Sequence, residues 1–267
     1  MSQTARTNKR EPNLDLGILV GLLLTDGCVS ISGGNWKITF TNSSEELHNI
    51  FKNSMKNAFK VTEFREWFDR KGVKSTEIKN KQIVKKLLEL TPTFRTREFK
   101  GGTFPKPNIP EFIKNMKLKE IGKVLQVAFS ADGCVCLGVK WNKTKNMWQF
   151  TRKVKISCKN PDLRNQFREL MVKLGLNPKI ISERELTLER KDEIIKFRET
   201  IGFVNGVKVS RKSKNWSGFE KNQVLDLLIK SFELKKKDLQ QFKTKDEIIN
   251  FLKSTLSSFG NNQGISD

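Results

Sequence analysis

Two apolar runs that each end in Asp-Gly are the clearest pattern in the chain. Residues 14–25, LDLGILVGLLLT, are almost wholly apolar and are followed by Asp26 and a glycine. Residues 118–131, LKEIGKVLQVAFSA, have apolar positions at helical spacing and are followed by Asp132 and a glycine. Repetition over such a long interval predicts a duplicated domain rather than a short solenoid repeat.

Alternating apolar and polar positions after each run predict a pair of antiparallel strands. The first pair, VSIS and WKITFT, flanks a Gly-Gly-Asn turn, and the second, VCLGVKW and WQFTRKVKIS, flanks residues 142–146. A helix start follows each hairpin, and two further strands and a helix complete each half. The predicted elements are 44–58, 60–69, 73–79 and 80–90 in the first half, and 161–174, 178–183, 185–189 and 191–200 in the second.

This order predicts an α/β (α+β) fold of two pseudo-symmetric αββαββα halves. We expect the N-terminal half at residues 13–98 and the C-terminal half at 118–232. The segment 99–117 holds three of the seven prolines and is interpreted as a linker with a short helix. Residues 1–12 are expected to be a disordered basic arm, and 233–267 an amphipathic helical extension with a polar tail.

The chain is strongly basic, with 51 Lys and Arg against 29 Asp and Glu and a net charge of +22. Because these charges are spread along the sequence, nucleic acid is the expected partner. A generally soluble basic protein or a ribosome-associated protein is the alternative. No apolar stretch approaches the ~20 residues of a membrane span. The N-terminus is not a secretory signal, and we expect an intracellular protein without a membrane partner.

Histidine and cysteine are too sparse to build a catalytic centre or a zinc site. The chain has one histidine, His48, and four cysteines without zinc-ligand spacing: Cys28, Cys134, Cys136 and Cys158. We interpret the cysteines as reduced thiols, the first three in strands. Any hydrolytic chemistry must therefore depend on carboxylates.

The two apolar helices are expected to bury each other. Small residues would let their backbones approach closely: Gly17, Gly21, Gly122, Ala128 and Ala131. Asp26 would then lie beside Asp132. Two carboxylates that repel each other and the helix dipoles need a cation, and oxygen ligands favour Mg²⁺. The alternative is ordinary helix capping, in which the glycine after each Asp takes the left-handed conformation.

Residues 19–27, LVGLLLTDG, and 125–133, LQVAFSADG, resemble the motif of the LAGLIDADG homing endonuclease family. The second match is looser, because Val127 stands where the family usually has Gly. The resemblance covers both halves, roughly residues 13–232, and includes the order of elements after each motif.

The resemblance implies that the motif helices form the interface between the halves and that each curved antiparallel sheet lies in the DNA major groove. Asp26 and Asp132 would bind Mg²⁺, or Mn²⁺ in its place, with the backbone carbonyls of Thr25 and Ala131. The implied reaction is a staggered double-strand break, with short 3′ overhangs, in a long asymmetric DNA target. The implied protein is a monomer encoded in an intron of an organelle, a microbe or an archaeon.

Two further family positions are less well matched. The family often has a water-organising Gln at the end of the second strand of each half. Here those positions hold Asn42 and Cys158, with Lys159 as a substitute for the latter. The family also has a basic residue late in each half that stabilises phosphate charge. The preferred candidates are Lys100 and Lys208, and two others fit almost as well: Lys106 and Lys212.

Polar side chains on the predicted strands form the candidate DNA-binding surface. In 36–41 and 149–157 the apolar positions share one face, with Arg152 as an exception, and the polar positions share the other. An ordinary solvated sheet face is the alternative. The candidate DNA-binding residues are Ser30, Ser32, Asn35, Lys37, Thr39, Thr41, Asn42, Arg65, Arg70, Lys74, Lys140, Asn142, Lys143, Gln149, Thr151, Lys153, Lys155 and Lys159.

Two rival functions remain at this level. The same scaffold serves as an RNA-splicing maturase, with intron RNA as its partner, or as a DNA-binding protein that does not cleave. An unrelated basic protein of RNA metabolism is the second rival. Retention of both motif acids favours the endonuclease over the first rival, and the basic strand faces disfavour the second.

Overall fold

The computed structural model describes residues 14–257 of the chain. The predicted basic arm at 1–12 and residues 258–267 of the predicted tail lie outside the described residues. No helix between residues 14 and 257 is both long and apolar enough to cross a membrane. Within this span the same order of elements occurs twice, and the predicted αββαββα organisation of both halves is confirmed.

The first copy begins with the longer apolar run and ends with a short amphipathic helix. It contains α1 (Leu14–Asp26), β1 (Gly27–Ser32), β2 (Asn35–Asn42), α2 (Glu45–Phe59), β3 (Arg65–Phe68), β4 (Lys74–Lys79) and α3 (Lys81–Leu90). The strand predicted at 60–69 begins later than expected. Lys60 closes α2 in a left-handed conformation, with φ of 61°. The chain turns at this residue and joins the sheet at Arg65.

The second copy follows a linker that carries the predicted short helix, α4 (Glu111–Lys114). It contains α5 (Leu118–Asp132), β5 (Gly133–Asn142), β6 (Met147–Ser157), α6 (Pro161–Lys173), β7 (Lys179–Ile181), β8 (Glu185–Leu188) and α7 (Lys191–Thr200). Three more helices come after it: α8 (Lys221–Ser231), α9 (Lys236–Gln240) and α10 (Lys245–Ser257). The sequence pattern missed α8, and the helical extension expected beyond 232 is two helices.

The two sheets have the same topology and the same register. Their strand orders are β1-β2-β4-β3 and β5-β6-β8-β7, with every neighbouring pair antiparallel. The glycine after each motif acid pairs with a buried apolar residue, Gly27 with Phe40 and Gly133 with Ile156. Positions in the two halves can therefore be compared residue by residue.

Helices α1 and α5 pack against each other at the centre of the molecule, as predicted. A Cβ atom added to Gly21 would lie 3.0 Å from the Val124 carbonyl oxygen and 3.2 Å from Val127 Cγ2. At Gly17 it would lie 3.1 Å from Val124 Cγ2. The expected role of Gly122 in this contact is wrong, because its open side faces the Thr200 carbonyl oxygen at the end of α7.

Helices α8, α9 and α10 pack against the second sheet. Their position explains why Arg152 points towards the helices. Its side chain donates hydrogen bonds to the Ser231 hydroxyl, at 2.8 Å, and to the Ser231 carbonyl oxygen at the end of α8. Its guanidinium lies over the rings of Phe150 and Phe232. The inward arginine is thus held by aromatic rings and a helix C-terminus, where its charge is favoured.

Gly21→Ala should destabilise the protein by about 1–3 kcal/mol, because the added methyl would press against the Val124 backbone, which yields less easily than a side chain. Chemical denaturation would measure the change in the free energy of unfolding. Gly138→Ala is the matched control, since a Cβ there would find its nearest neighbour at 3.7 Å. Equal stability of the two variants would contradict the close contact of α1 with α5.

Candidate active site

Asp26 and Asp132 lie next to each other where α1 and α5 end. Burial of the Asp132 carboxyl and the nearby charge of Asp26 raise the pKa of Asp132 to about 7, although Lys221 and Arg97 oppose the shift. Burial also raises the pKa of Asp26, against the lowering effects of the Asn42 hydrogen bond and the same two cations. Solvent still reaches the surface of Asp132, so we expect water to screen part of its shift. The two cations therefore do not cancel the effects that raise the pKa values of the pair.

The glycine after each acid is extended rather than left-handed, so the capping alternative is wrong. Gly133 has φ of −87° and ψ of 158° and begins β5 directly. A Cβ added there would lie 2.5 Å from the Phe129 carbonyl oxygen, and one at Gly27 would lie 2.4 Å from the Leu23 Cα. Each strand folds back over the last turn of its own helix, which only glycine permits.

Asn42 supports Asp26, whereas its counterpart in the other half gives no such support to Asp132. The Asn42 amide donates to Asp26 Oδ2 at 2.6 Å, and its Oδ1 accepts from the Ser44 backbone N–H at 2.7 Å. Cys158 holds the equivalent position, and its thiol donates instead to the Asn160 carbonyl oxygen at 3.4 Å. The two halves of the site are therefore chemically unequal.

Lys221 is the residue of this site that the sequence reasoning missed. It is the first residue of α8, and its Nζ donates to the carbonyl oxygens of Ser130 and Gly133, each at 2.7 Å. Burial lowers the pKa of Lys221 to about 8, against the raising effect of the nearby acids. Lys221 lies in no recognisable motif. The one sequence signal for a helix at this place is the capping box formed by Glu220 and Gln223.

The expected late basic residues are not the cations that lower the pKa values of the two acids. Arg97, which the sequence reasoning did not select, acts electrostatically on both acids, and Lys100 is exposed in the loop after it. Lys208 is exposed and lines a cavity together with Lys221. Their remaining rivals are both exposed: Lys106 and Lys212.

Two cavities flank the paired acids. One, of about 350 Å³, is lined by Thr25, Arg97, Asp132, Cys158 and Lys159 among others. The other, of about 390 Å³, is lined by residues that include Asn42, Ala131, Lys208 and Lys221. Each cavity therefore brings the residue before one motif acid, Thr25 or Ala131, beside the strand end of the opposite half.

Strand register places most of the candidate DNA-binding residues on one face of each sheet. In the first sheet, the face turned away from the helices carries Ser30, Lys37, Thr39 and Arg65. Ser30 pairs with Lys37, and both Thr39 and Arg65 pair with Glu77. The same face carries Ser32, Asn35 and Thr41. In the second sheet the corresponding residues are Lys140, Gln149, Thr151, Lys153 and Lys155. The others lie in turns or at strand ends: Asn42, Arg70, Asn142, Lys143 and Lys159.

Lys74 is the exception among these candidates. It lies on the helix-facing side of the first sheet, where its Nζ contacts Glu45 Oε1 at 2.9 Å and Glu66 Oε2 at 3.2 Å. The prediction that Lys74 lies in a strand is confirmed. The prediction that its side chain lies on the DNA-binding face of the sheet is wrong. The Lys74 ammonium group is paired with two acids of the same half and is not on the open face of the sheet.

A protein-family model described as a LAGLIDADG-like domain matches residues 13–91. The resemblance read from the motif is thereby confirmed over the N-terminal half. No curated protein sequence matches the chain. The C-terminal half is linked to the matched region by the repeated order and register of its own elements.

The chain also resembles several solved structures. I-DmoI in complex with DNA and Mn is 16% identical, covers 72% of this chain and 99% of its own, and gives a TM-score of 0.48. The LAGLIDADG meganuclease I-AabMI bound to uncleaved DNA is 12% identical, with coverages of 91% and 98% and a TM-score of 0.49. The homing endonuclease I-WcaI bound to its DNA recognition sequence is 13% identical, with coverages of 78% and 92% and a TM-score of 0.46.

Asp132→Asn should stabilise the metal-free protein at pH 8 and leave it nearly unchanged at pH 4. Because the pKa of Asp132 is raised in the folded state, the folded protein keeps a proton that the unfolded chain loses above about pH 4. Stability contributed by this group therefore falls as the pH rises from about 4 to 7. We expect a gain of about 1 kcal/mol, because solvent reaches Asp132 and screens part of the effect.

Thermal unfolding in the presence of a chelator would measure this effect. Asp192→Asn is the control, because Asp192 is an exposed acid whose pKa is lowered by Arg190. Its substitution should give no gain at pH 8. A pH-independent difference between Asp132→Asn and the native protein would contradict the expected origin of the effect.

Proposed function

From the premise that this chain contains a LAGLIDADG-like domain at residues 13–91, we propose that it is a divalent-metal-dependent endonuclease that cuts both strands of DNA. The observation that carries the proposal is the pairing of Asp26 with Asp132 at the ends of the two packed helices, where burial and the charge of Asp26 raise the pKa of Asp132. Two acids at the negative ends of packed helices weaken the fold, and their placement is explained by cation binding.

The residues around the two acids fit a hard cation. Within residues 14–257 no group of three or more His, Cys, Asp or Glu side chains could hold a metal, so further oxygen ligands are needed. We assign these to the backbone carbonyls of Thr25 and Ala131, because both residues line the flanking cavities. Mg²⁺ suits few carboxylates and retained water, and Mn²⁺ should replace it. The cation supplies Lewis-acid stabilisation of charge at a scissile phosphate.

The chain's own residues would orient the ligands and balance charge during the reaction. Asn42 holds one oxygen of Asp26 by its hydrogen bond of 2.6 Å, which fixes the direction of the carboxylate. Lys221 and Arg97 add positive charge on the side of the acids. They would stabilise the negative charge that builds up on the phosphate oxygens when the phosphodiester is attacked by water.

The open faces of the two sheets are the proposed DNA-binding surface. Their lysines, arginines, threonines and amides suit phosphates and base edges in a major groove. Because the two faces differ in sequence, the target should be long and asymmetric. One chain supplies both halves of the site, so we propose a monomer that leaves a staggered break with short 3′ overhangs. Binding should weaken steeply with salt.

A randomised double-stranded DNA library, incubated with the native protein and Mg²⁺, would test the proposal. We expect one family of long sites to be cut on both strands. Asp26→Asn and Asp132→Asn should still bind the selected site but lose cutting by at least about a hundredfold, as expected when charge stabilisation is removed. Asp192→Asn, an exposed acid on α7, should cut like the native protein.

Two outcomes would count against the proposal. DNA or folded RNA binding without cutting in either Mg²⁺ or Mn²⁺ would favour a maturase or a non-cleaving DNA-binding protein. Cutting that survives both motif substitutions would place the chemistry elsewhere in the chain.

The inequality of Asn42 and Cys158 predicts that the two strands are cut at different rates, so nicked DNA should accumulate first. Asn42→Cys copies the residue of the other half and removes the hydrogen bond to Asp26. It should slow cutting of one strand about 10–100-fold, as loss of a partner to a metal ligand does, and thus narrow or invert the difference. Asn53→Cys, an exposed substitution on α2, is the control, and gel analysis of strand-labelled DNA is the measurement.

A further inference from the structure

Three buried side-chain nitrogen or oxygen atoms among residues 14–257 have no hydrogen-bond partner: Glu77 Oε1, Thr187 Oγ1 and Arg164 Nε. Unpaired buried polar atoms are rare in folded proteins and call for a specific explanation. Two of these three lie in the central strands of the two sheets. Their positions can be compared through the register of the strands.

Glu77 and Thr187 occupy equivalent positions in the two halves. Glu77 pairs with Thr39, the residue before Phe40, and Thr187 pairs with Lys155, the residue before Ile156. Phe40 and Ile156 are themselves equivalent, since each pairs with the glycine that follows a motif acid. The same place on both open sheet faces therefore holds a polar atom that lacks a partner within the protein.

Two basic side chains lie near the Glu77 carboxylate, but neither is close enough to donate a hydrogen bond to it. Lys37 Nζ lies 3.8 Å from Oε2, and an Arg65 guanidinium nitrogen lies 4.0 Å from Oε1. Both distances exceed those of a hydrogen bond. Glu77 is only 6% exposed, but the Arg65 side chain beside it is 72% exposed and is held by the Trp67 ring, at 5.6 Å, rather than by a hydrogen bond to Glu77. Glu77 and Arg65 also line a cavity of about 850 Å³ at the edge of the sheet, together with the loop after α2 and the start of α3, so the carboxylate borders open space.

The missing partner of Glu77 must be a hydrogen-bond donor. A phosphate would be repelled by the carboxylate, and so would the acceptor atoms of guanine and thymine in the major groove. Cytosine presents its N4 amino group there as a donor, without an adjacent acceptor on the same base. Adenine presents an amino group beside the acceptor N7, which a carboxylate would oppose.

We propose that Glu77 is a specificity-determining residue that reads the amino group of one cytosine in the half of the target bound by the first sheet. The inference rests on the proposed function, because it requires DNA on the open face of that sheet. Lys37 and Arg65 turn to phosphates or to neighbouring bases when DNA binds and leave the carboxylate to accept the hydrogen bond. Glu77 thus contributes sequence preference rather than general affinity.

The first test selects binding sites from a randomised duplex library in metal-free buffer with native protein, Glu77→Gln and Glu89→Gln. The native sites should contain one position at which cytosine is preferred about tenfold or more, the range expected for a good base contact. Glu77→Gln should lose that preference or shift it to adenine, which a glutamine amide can bind, and keep the preferences elsewhere. Glu89→Gln, exposed on α3, makes the same charge change and should select the native sites.

The second test changes the DNA and leaves the protein native, so it does not depend on the folding of a variant. Cytosine at the preferred position is replaced by pyrimidin-2-one, which lacks only the N4 amino group. Native protein should bind this duplex about tenfold more weakly than the unmodified one, and Glu77→Gln should bind the two alike.

The outcomes separate the two proposals. If native protein selects no DNA sequence at all, the proposed function fails and the role of Glu77 fails with it. If native protein selects a site but Glu77→Gln retains every preference, or changes affinity equally for all sites, only the role of Glu77 is overturned. The carboxylate would then serve to hold Lys37 and Arg65 in place.

Discussion

The contact between α1 and α5 is the constraint on which the rest of the molecule depends. Gly17 and Gly21 let the backbone of α1 approach Val124 and its neighbours on α5, and the contact removes apolar side chains of both helices from water. The same contact brings Asp26 beside Asp132. Burial of leucine and valine thus provides the free energy that holds two like charges together.

The cations near the site only partly offset the effects that raise the pKa values of the two acids. Lys221 is fixed by two carbonyl oxygens near Asp132, and Arg97 acts on both acids from a loop. These cations oppose the effects of burial and of the Asp26 charge without cancelling them, because the pKa of Asp132 still rises to about 7. A site that was fully neutralised by its own side chains would have little use for a bound cation.

The features that could be predicted from the sequence are those that occur in both halves or follow a periodic pattern of apolar residues. The paired motifs gave the duplication, the central helices and both acids, and alternation gave the open face of each sheet. Lys221 was missed because α8 has no counterpart in the other half and carries no motif. The face of Lys74 was misjudged since Glu45 and Glu66, which draw it inward, are distant in sequence. Arg152 broke the alternation for a reason that lies in Ser231 and Phe232, far along the chain.

The small and large residues of the central interface also restrict which halves can associate. The glycines that face the contact belong to α1, and the valines that fill the space belong to α5. Two α5 helices placed together would bring valine against valine, without the glycines that make room for it. The contact therefore favours an α1 helix against an α5 helix over two like halves, and each complete site presents one copy of each sheet face.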